Sequence, residues 1–160
     1  MASVLAAVAA LLCLAAPALA GQDMVLGRQV AARADAPTVA ATRQPRSQYL
    51  LHCAGCHGVD GAGSAAVPDM RRLGNFLRLA GGREFIIKVP GVMGSGLSDV
   101  QVAELSNWVL VTLAEPSLPA GYLPFQAAEV AQARAKPIAD VGAERRRLVE
   151  QATRLGIAID

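Results

Sequence analysis

Cys53-Ala54-Gly55-Cys56-His57 is the most informative stretch of the chain, because two cysteines three positions apart are followed at once by a histidine. On a helical turn this spacing directs both thiols toward the two vinyl groups of a porphyrin, and the imidazole toward its iron. The pentapeptide therefore predicts one covalently bound haem, attached through thioethers at Cys53 and Cys56, with His57 as the proximal iron ligand.

Two other kinds of site share the Cys-x-x-Cys spacing. A zinc knuckle needs two further ligands, and the rest of the chain offers only Cys13 and His52 as cysteine or histidine. His52 lies too close to Cys53 to complete a tetrahedron easily, and Cys13 falls in a segment that is expected to be removed. A thioredoxin-like dithiol expects a βαβ pattern around the motif, which the sequence does not show. Haem attachment is preferred over both alternatives.

The N-terminus resembles an export signal. Residues 2–20 carry no charge and close on Ala18-Leu19-Ala20, which predicts a signal peptide over residues 1–20 and a periplasmic protein. No Lys or Arg precedes the apolar run, so an uncleaved membrane anchor is the alternative. After cleavage Cys53 and Cys56 are the remaining cysteines, as expected of an exported chain with few free thiols.

Charge and length describe a single small domain with flanking segments. The formal net charge is +2, and no segment has the dense basic face that nucleic-acid binding requires. Residues 21–44 are rich in Ala, Gln and Arg, which predicts a linker or flexible arm. The haem domain is expected over residues 45–115, and a helical C-terminal extension over residues 116–160.

Helical periodicity predicts an all-α fold for the domain and its extension. Pro45 suits the first turn of the helix that leads into the pentapeptide. Ser98 and Gln101 form a capping box that opens the last helix of the domain, whose apolar face carries Leu105 and Val109. Helices are expected over 70–80, 83–89, 99–114, 126–135 and 140–155.

The segment SQYLLHCAGCHGVDGAG, residues 47–63, resembles the start of a class I c-type cytochrome. Tyr49 matches an aromatic residue of that family, and Trp108 corresponds to an aromatic of the last helix that crosses nearby. Val67-Pro68-Asp69-Met70 is similar to the family segment whose proline carbonyl accepts a hydrogen bond from the ligand histidine. The resemblance implies that Pro68 orients His57 and that Tyr49 and Trp108 are neighbours.

The resemblance also implies a second axial ligand, a methionine from the loop before the last helix. Met93 occupies that place, in a flexible loop over residues 91–96. Met70 is the alternative, although it lies where the family has a packing leucine. An iron with neither methionine bound is the third possibility.

The arginines have two expected roles. Guanidinium groups suit carboxylates, so three arginines near the motif are candidates for pairing with haem propionates: Arg71, Arg72 and Arg83. The Arg145-Arg146-Arg147 run in the extension is interpreted as a solvated helix face. The extension itself is expected either to dock a partner or to wrap its own haem domain.

The resemblance implies a periplasmic one-electron carrier rather than an enzyme, with a single covalent haem c. Its expected partners are redox proteins: a periplasmic dehydrogenase as donor, and an oxidase or another cytochrome as acceptor. Two alternatives are kept. One is a five-coordinate haem protein that binds ligands as a sensor or acts as a weak peroxidase, and the other is a cytochrome subunit of a larger dehydrogenase complex.

Overall fold

The computed structural model describes residues 39–159, with side chains described from residue 44. The predicted signal peptide and most of the predicted arm lie outside these residues. The described residues from 42 onward belong to one compact unit. None of the helices between residues 39 and 159 has the length and hydropathy that crossing a membrane requires.

The described residues are helical with connecting loops and contain no strand, so the predicted all-α class is confirmed. The α-helices in chain order are α1 (Val39–His52), α2 (Ala54–His57), α3 (Gly82–Lys88), α4 (Pro90–Met93), α5 (Asp99–Thr112), α6 (Ala127–Arg134) and α7 (Val141–Arg154). Two 3₁₀ segments, Met70–Arg78 and Glu115–Ser117, complete the order.

Helix α1 ends at His52, directly before the pentapeptide. The amide of Cys53 donates to the carbonyl of Tyr49 at 2.8 Å, so helical bonding continues into the motif that α2 completes. The helix does not begin at Pro45 as predicted, because α1 begins at Val39 and contains Pro45 in its interior. Residues 39–44, which were expected to belong to the arm, are therefore helical.

Helix α5 follows its predicted start closely. The Ser98 hydroxyl accepts from the Gln101 amide, and the Gln101 side chain accepts from the Ser98 amide, which confirms the capping box. Leu105 and Val109 are buried as predicted. The rings of Tyr49 and Trp108 lie 5.4 Å apart between centroids, so their predicted neighbourhood is also confirmed.

Two segments before α5 differ from prediction. The helix expected over residues 70–80 is a 3₁₀ helix. The loop expected over residues 91–96 begins as helix α4, because Pro90 occupies its first turn and the amides of Met93 and Gly94 bond back to Val89 and Pro90.

The part of the predicted extension that the structure describes, residues 116–159, packs on the helices that precede it. Val130 in α6 and Leu148 in α7 are fully buried in the common core. The Asn107 carboxamide oxygen in α5 accepts from the Tyr122 hydroxyl at 2.6 Å and from the Phe125 amide at 2.7 Å. The extension is thus a structural part of the same unit. This agrees with the expectation that it wraps its own domain.

Candidate haem site

An apolar cavity of about 360 Å³ opens beside the pentapeptide. Its wall includes Cys53 and His57 together with side chains from the 3₁₀ helix, α3 and α5, such as Phe76, Ile86 and Val109. Aliphatic and aromatic side chains on several elements therefore enclose a space next to one thiol and one imidazole. Such a concave, mostly apolar site with a few convergent polar groups is typical of cofactor binding.

His57 is held in one orientation by a backbone carbonyl. Its ring nitrogen Nδ1 lies 3.0 Å from the carbonyl oxygen of Pro68. A carbonyl only accepts hydrogen bonds, so Nδ1 carries the proton and donates it. The lone pair is then on Nε2, which is the arrangement of an imidazole ready to bind a metal.

The loop that carries Pro68 is folded tightly against the pentapeptide. The Gly63 amide donates to the His57 carbonyl at 2.8 Å, and the Ser64 amide donates to the Val67 carbonyl at 2.8 Å. Gly63 has φ +69°, and a Cβ atom there would lie 2.3 Å from the Val67 oxygen. Only glycine fits this position, which brings the Pro68 carbonyl to the imidazole.

Tyr49 fixes the backbone just after the pentapeptide, at Gly58. Its side chain is fully buried, and its hydroxyl donates to the Gly58 carbonyl at 2.5 Å. Burial raises the pKa of the Tyr49 hydroxyl, so it stays a neutral donor. The residue after His57 is thereby tied to α1.

The two cysteines differ in exposure. Cys53 is half-buried on the cavity wall, and burial raises the pKa of its thiol. Cys56 is exposed and is not among the described residues that line the cavity. No disulfide joins Cys53 and Cys56.

The two candidate methionines also occupy different places. Met70 is half-buried on the cavity wall, two residues after Pro68. Met93 is half-buried at the end of α4; among the described residues it is Val92, its neighbour, that lines the cavity. The structure therefore brings Cys53, His57, Pro68 and Met70 onto one wall, with Met93 beside it.

The extension contributes three residues to this wall that sequence reasoning did not place there: Val141, Arg145 and Ile159. Arg145 is half-buried, so the Arg145-Arg146-Arg147 run is not uniformly a solvated face as predicted. No local pattern separates Arg145 from its neighbours. What distinguishes it is the packing of α7 against the domain.

The residues of the cavity fit a haem. The wall is mostly apolar, as a porphyrin ring requires. It includes the thiol of Cys53 and, four residues later, the imidazole of His57, whose Nε2 carries the lone pair. Fold and site together define a helical protein that holds a haem in the c-type manner.

Comparison with known proteins agrees with that class. No family model matches the chain. A cytochrome c-552 of Thermus thermophilus is 32% identical over 124 residues, which cover 64% of this chain and 95% of the relative. A second cytochrome c-552 of the same species is 31% identical over 124 residues, which cover 64% of this chain and 84% of the relative. The chain belongs to the c-type cytochromes.

Membership of this family implies a haem c cofactor and a role in electron transfer. The c-type cytochromes are electron-transfer proteins whose haem is covalently bound.

Proposed function

We propose that the chain is a periplasmic one-electron carrier of the class I type, with a single haem c attached at Cys53 and Cys56 and bound on its proximal side by His57. The observation that carries the proposal is the bond from His57 Nδ1 to the Pro68 carbonyl, beside an apolar cavity and directly after the two cysteines. When bound, the haem iron supplies one-electron transfer between its ferrous and ferric states.

Pro68 acts on the iron through His57. Its carbonyl fixes the ring plane of the imidazole and increases the electron density on Nε2, because a hydrogen bond from Nδ1–H makes the imidazole a stronger base. The apolar wall keeps water from the iron and so favours the less charged ferrous form. These residues position the ligand and set the surroundings of the metal without chemistry of their own.

Met93 is proposed as the second axial ligand. Met70 follows Pro68 by two residues, so its backbone stays within about 7 Å of the carbonyl that His57 binds, on the proximal side. The segment after α3 also reaches the cavity, at Val92, and we propose that it covers the distal side of the iron. A Cβ atom at Gly91 or Gly96 would meet no atom within 4 Å, whereas at Gly94, directly after Met93, it would lie 3.2 Å from the Pro90 oxygen. We propose that the segment turns the Met93 thioether toward the iron when the haem is bound.

An exposed apolar rim beside Cys56 is the proposed site of electron exchange. Cys56 is exposed, and Leu51 and Val59 on either side of the motif are 78% and 75% exposed. Partners of such a rim dock briefly over a small area, which suits rapid turnover. We propose a periplasmic dehydrogenase as donor and an oxidase or another cytochrome as acceptor.

The second candidate is a five-coordinate haem protein that binds small ligands. It is favoured by one observation: among the described residues, the methionine on the cavity wall is Met70, and Met93 lies beside it. An iron left open on its distal side would bind carbon monoxide rapidly when reduced. The electron carrier, with methionine in place, would bind it slowly or not at all.

A potentiometric titration of the purified holoprotein tests the proposal. An electron carrier should titrate reversibly as a one-electron couple, and the reduced form should keep its spectrum under carbon monoxide. An immediate spectral change with carbon monoxide would instead establish the ligand-binding candidate. Recovery of the holoprotein in the periplasmic fraction, without the leader, would test the localisation.

A further inference from the structure

We infer that Arg134, the last residue of α6, holds the distal segment against the haem cavity and so limits the access of other ligands to the iron. The distal segment is residues 91–97, which include Met93. The inference rests on the proposed function for the haem and for Met93 as its ligand, whereas the hold on the segment is measurable apart from them. It assigns to the extension a positioning residue for the second axial ligand.

The distal segment forms one part of the cavity wall. Gly91, Val92, Ser95 and Leu97 line the cavity, and Leu97 is buried. Met93 lies among them, at the end of α4. Movement of the segment away from the wall would therefore open this side of the cavity and withdraw the proposed ligand.

A hydrogen-bonded serine connects the two ends of the segment. The Ser95 hydroxyl donates to the Val92 carbonyl at 2.8 Å, and its oxygen accepts from the Leu97 amide at 3.3 Å. Both Val92 and Leu97 are wall residues. The position of Leu97 thus affects Val92, and with it Met93, the next residue in the chain.

Arg134 binds the end of the segment from outside. Its Nη1 donates to the Leu97 carbonyl at 2.9 Å and to a carboxylate oxygen of Asp99 at 2.8 Å. The side chains of Arg134 and Asp99 are 22% and 39% exposed, so water only partly screens the ion pair. Hydrogen bonds from a charged donor are stronger than neutral ones, and this donor joins Leu97 to the first residue of α5.

Helix α6 gives Arg134 a fixed base. Val130 is fully buried, and Ala133, directly before Arg134, is buried as well. In the first turn of the same helix, Glu129 pairs with Arg83 of α3 beside a separate pocket. This second ion pair also joins α6 to the domain, but it does not involve the distal segment, so it supplies a matched control.

The effect on ligand binding follows from a two-state equilibrium of the segment. Imidazole, a neutral ligand of ferric haem, can bind only where Met93 has left the iron. Its apparent affinity is therefore proportional to the fraction of molecules in which the segment is open. Because Leu97 lies against Arg134 only in the closed state, loss of these bonds raises the open fraction and the affinity.

The test compares Arg134→Gln with Glu129→Gln in the purified ferric holoprotein, titrated with imidazole. We expect Arg134→Gln to bind imidazole about tenfold more tightly than wild type, which corresponds to about 1.4 kcal/mol. Glu129→Gln also removes an ion pair of α6 and should change the affinity by less than about twofold, because it leaves the hold at Leu97 in place. Equal changes in the two variants, or no change in Arg134→Gln, would overturn the inference.

Amide hydrogen exchange keeps this result distinct from the proposed function. The sulfur-to-ferric-iron charge-transfer band of the wild-type holoprotein reports whether a methionine binds the iron, and its absence would contradict Met93 as the ligand. In that case exchange at the amides of residues 92–97 decides on Arg134. It should be faster in Arg134→Gln than in wild type and in Glu129→Gln, since the open state exposes these amides. Unchanged exchange would contradict the hold on the segment.

A second variant applies if Arg134→Gln does not accumulate as holoprotein. Asp99→Asn removes the negative charge that keeps the guanidinium beside the Leu97 carbonyl. It should also speed exchange at residues 92–97 relative to Glu129→Gln. Exchange as slow as in wild type would overturn the inference.

Discussion

His57 depends on one backbone carbonyl for its orientation, and that carbonyl depends on a glycine. Gly63 adopts φ +69° and approaches the Val67 and Pro68 carbonyls so closely that a Cβ atom would lie 2.3 and 2.6 Å from their oxygens. Any side chain at residue 63 must therefore push the Pro68 segment away from the imidazole. The support of the proposed iron ligand is built from backbone geometry rather than from a polar side chain.

Gly63→Ala is expected to destabilise the protein because it combines a strained φ with a backbone clash. Gly121→Ala is the matched control, since Gly121 has φ +75° and no neighbouring atom within 4 Å of its Cβ position. The control should cost about 1 kcal/mol in the free energy of unfolding, and Gly63→Ala at least about 2 kcal/mol more. Chemical denaturation measures both. Equal losses would show that the close approach at Gly63 is unimportant.

Met93→Ala is expected to abolish the weak sulfur-to-ferric-iron charge-transfer band of the oxidised holoprotein and to open the iron to carbon monoxide. The reason is that no other side chain of the distal segment carries a thioether. Met70→Ala should leave the band in place while lowering stability, because Met70 packs against the core. Loss of the band in Met70→Ala and its survival in Met93→Ala would reverse the assignment.

The contact between His57 and Pro68 could be predicted because it depends on short spacings. Two thiols, an imidazole and a nearby proline lie within sixteen positions of one another, so the chain geometry alone brings them together. Arg145 is eighty-eight positions beyond His57 and reaches the cavity only through the packing of α7. Its sequence neighbourhood, with two further arginines, looks like an ordinary solvated helix.

At the scale of the elements, Asn107 links α5 to the extension by three hydrogen bonds. Its oxygen accepts from the Tyr122 hydroxyl and the Phe125 amide, and its Nδ2 donates to the Phe125 carbonyl at 3.0 Å. Both the amide and the carbonyl of Phe125 are thus hydrogen-bonded to the Asn107 side chain. Phe125 is itself buried, with Arg83 stacked on its ring, so one side chain of α5 holds the start of the extension in register.

Asn107→Leu should lower the free energy of unfolding by about 2–4 kcal/mol, because it leaves two backbone groups of Phe125 without their partner. Tyr122→Phe removes only one of the bonds and should cost about 1 kcal/mol. Thermal or chemical unfolding of both variants measures the two losses in the free energy of unfolding. A loss in Asn107→Leu no larger than that in Tyr122→Phe would contradict the linking role.

The elements were predictable where local signals are strong. The capping box at Ser98 locates the start of α5, since both of its hydrogen bonds are made within four residues. The start of α1 was not found, because Pro45 is favoured at a first turn and yet lies inside the helix. The 3₁₀ form of Met70–Arg78 was also missed, as apolar spacing alone does not separate 3₁₀ from α-helix.

At the scale of the whole molecule, the haem domain and the extension share one core. Buried residues of α5, α6 and α7 belong to a single cluster, and the extension contributes Val141, Arg145 and Ile159 to the cavity. From sequence, wrapping of the domain by the extension was only one of two expectations, because the contacts join segments tens of residues apart and no motif marks them. We therefore expect haem binding and the packing of the extension to stabilise each other.

Leu148→Ala should therefore weaken haem domain and extension together. Leu148 is fully buried, so the substitution should cost about 2–5 kcal/mol. The transitions followed by far-ultraviolet circular dichroism and by haem absorbance should move by the same amount. Leu155→Ala, at a residue of 57% exposure just beyond the same helix, is the control and should move neither. Two separate transitions would show that the extension is an independent unit.

Covalent attachment is the most direct measurement of the central claim, which is that Cys53 and Cys56 hold a haem above His57. The chain is produced in a host that matures such proteins, and the pigment is extracted with acidified acetone. The wild-type protein should stay red after extraction, with its mass increased by one haem, and the Cys53→Ser/Cys56→Ser variant should lose its colour. A colourless wild-type chain, a pigment that the solvent removes, or a product that carries zinc in place of haem would contradict the account.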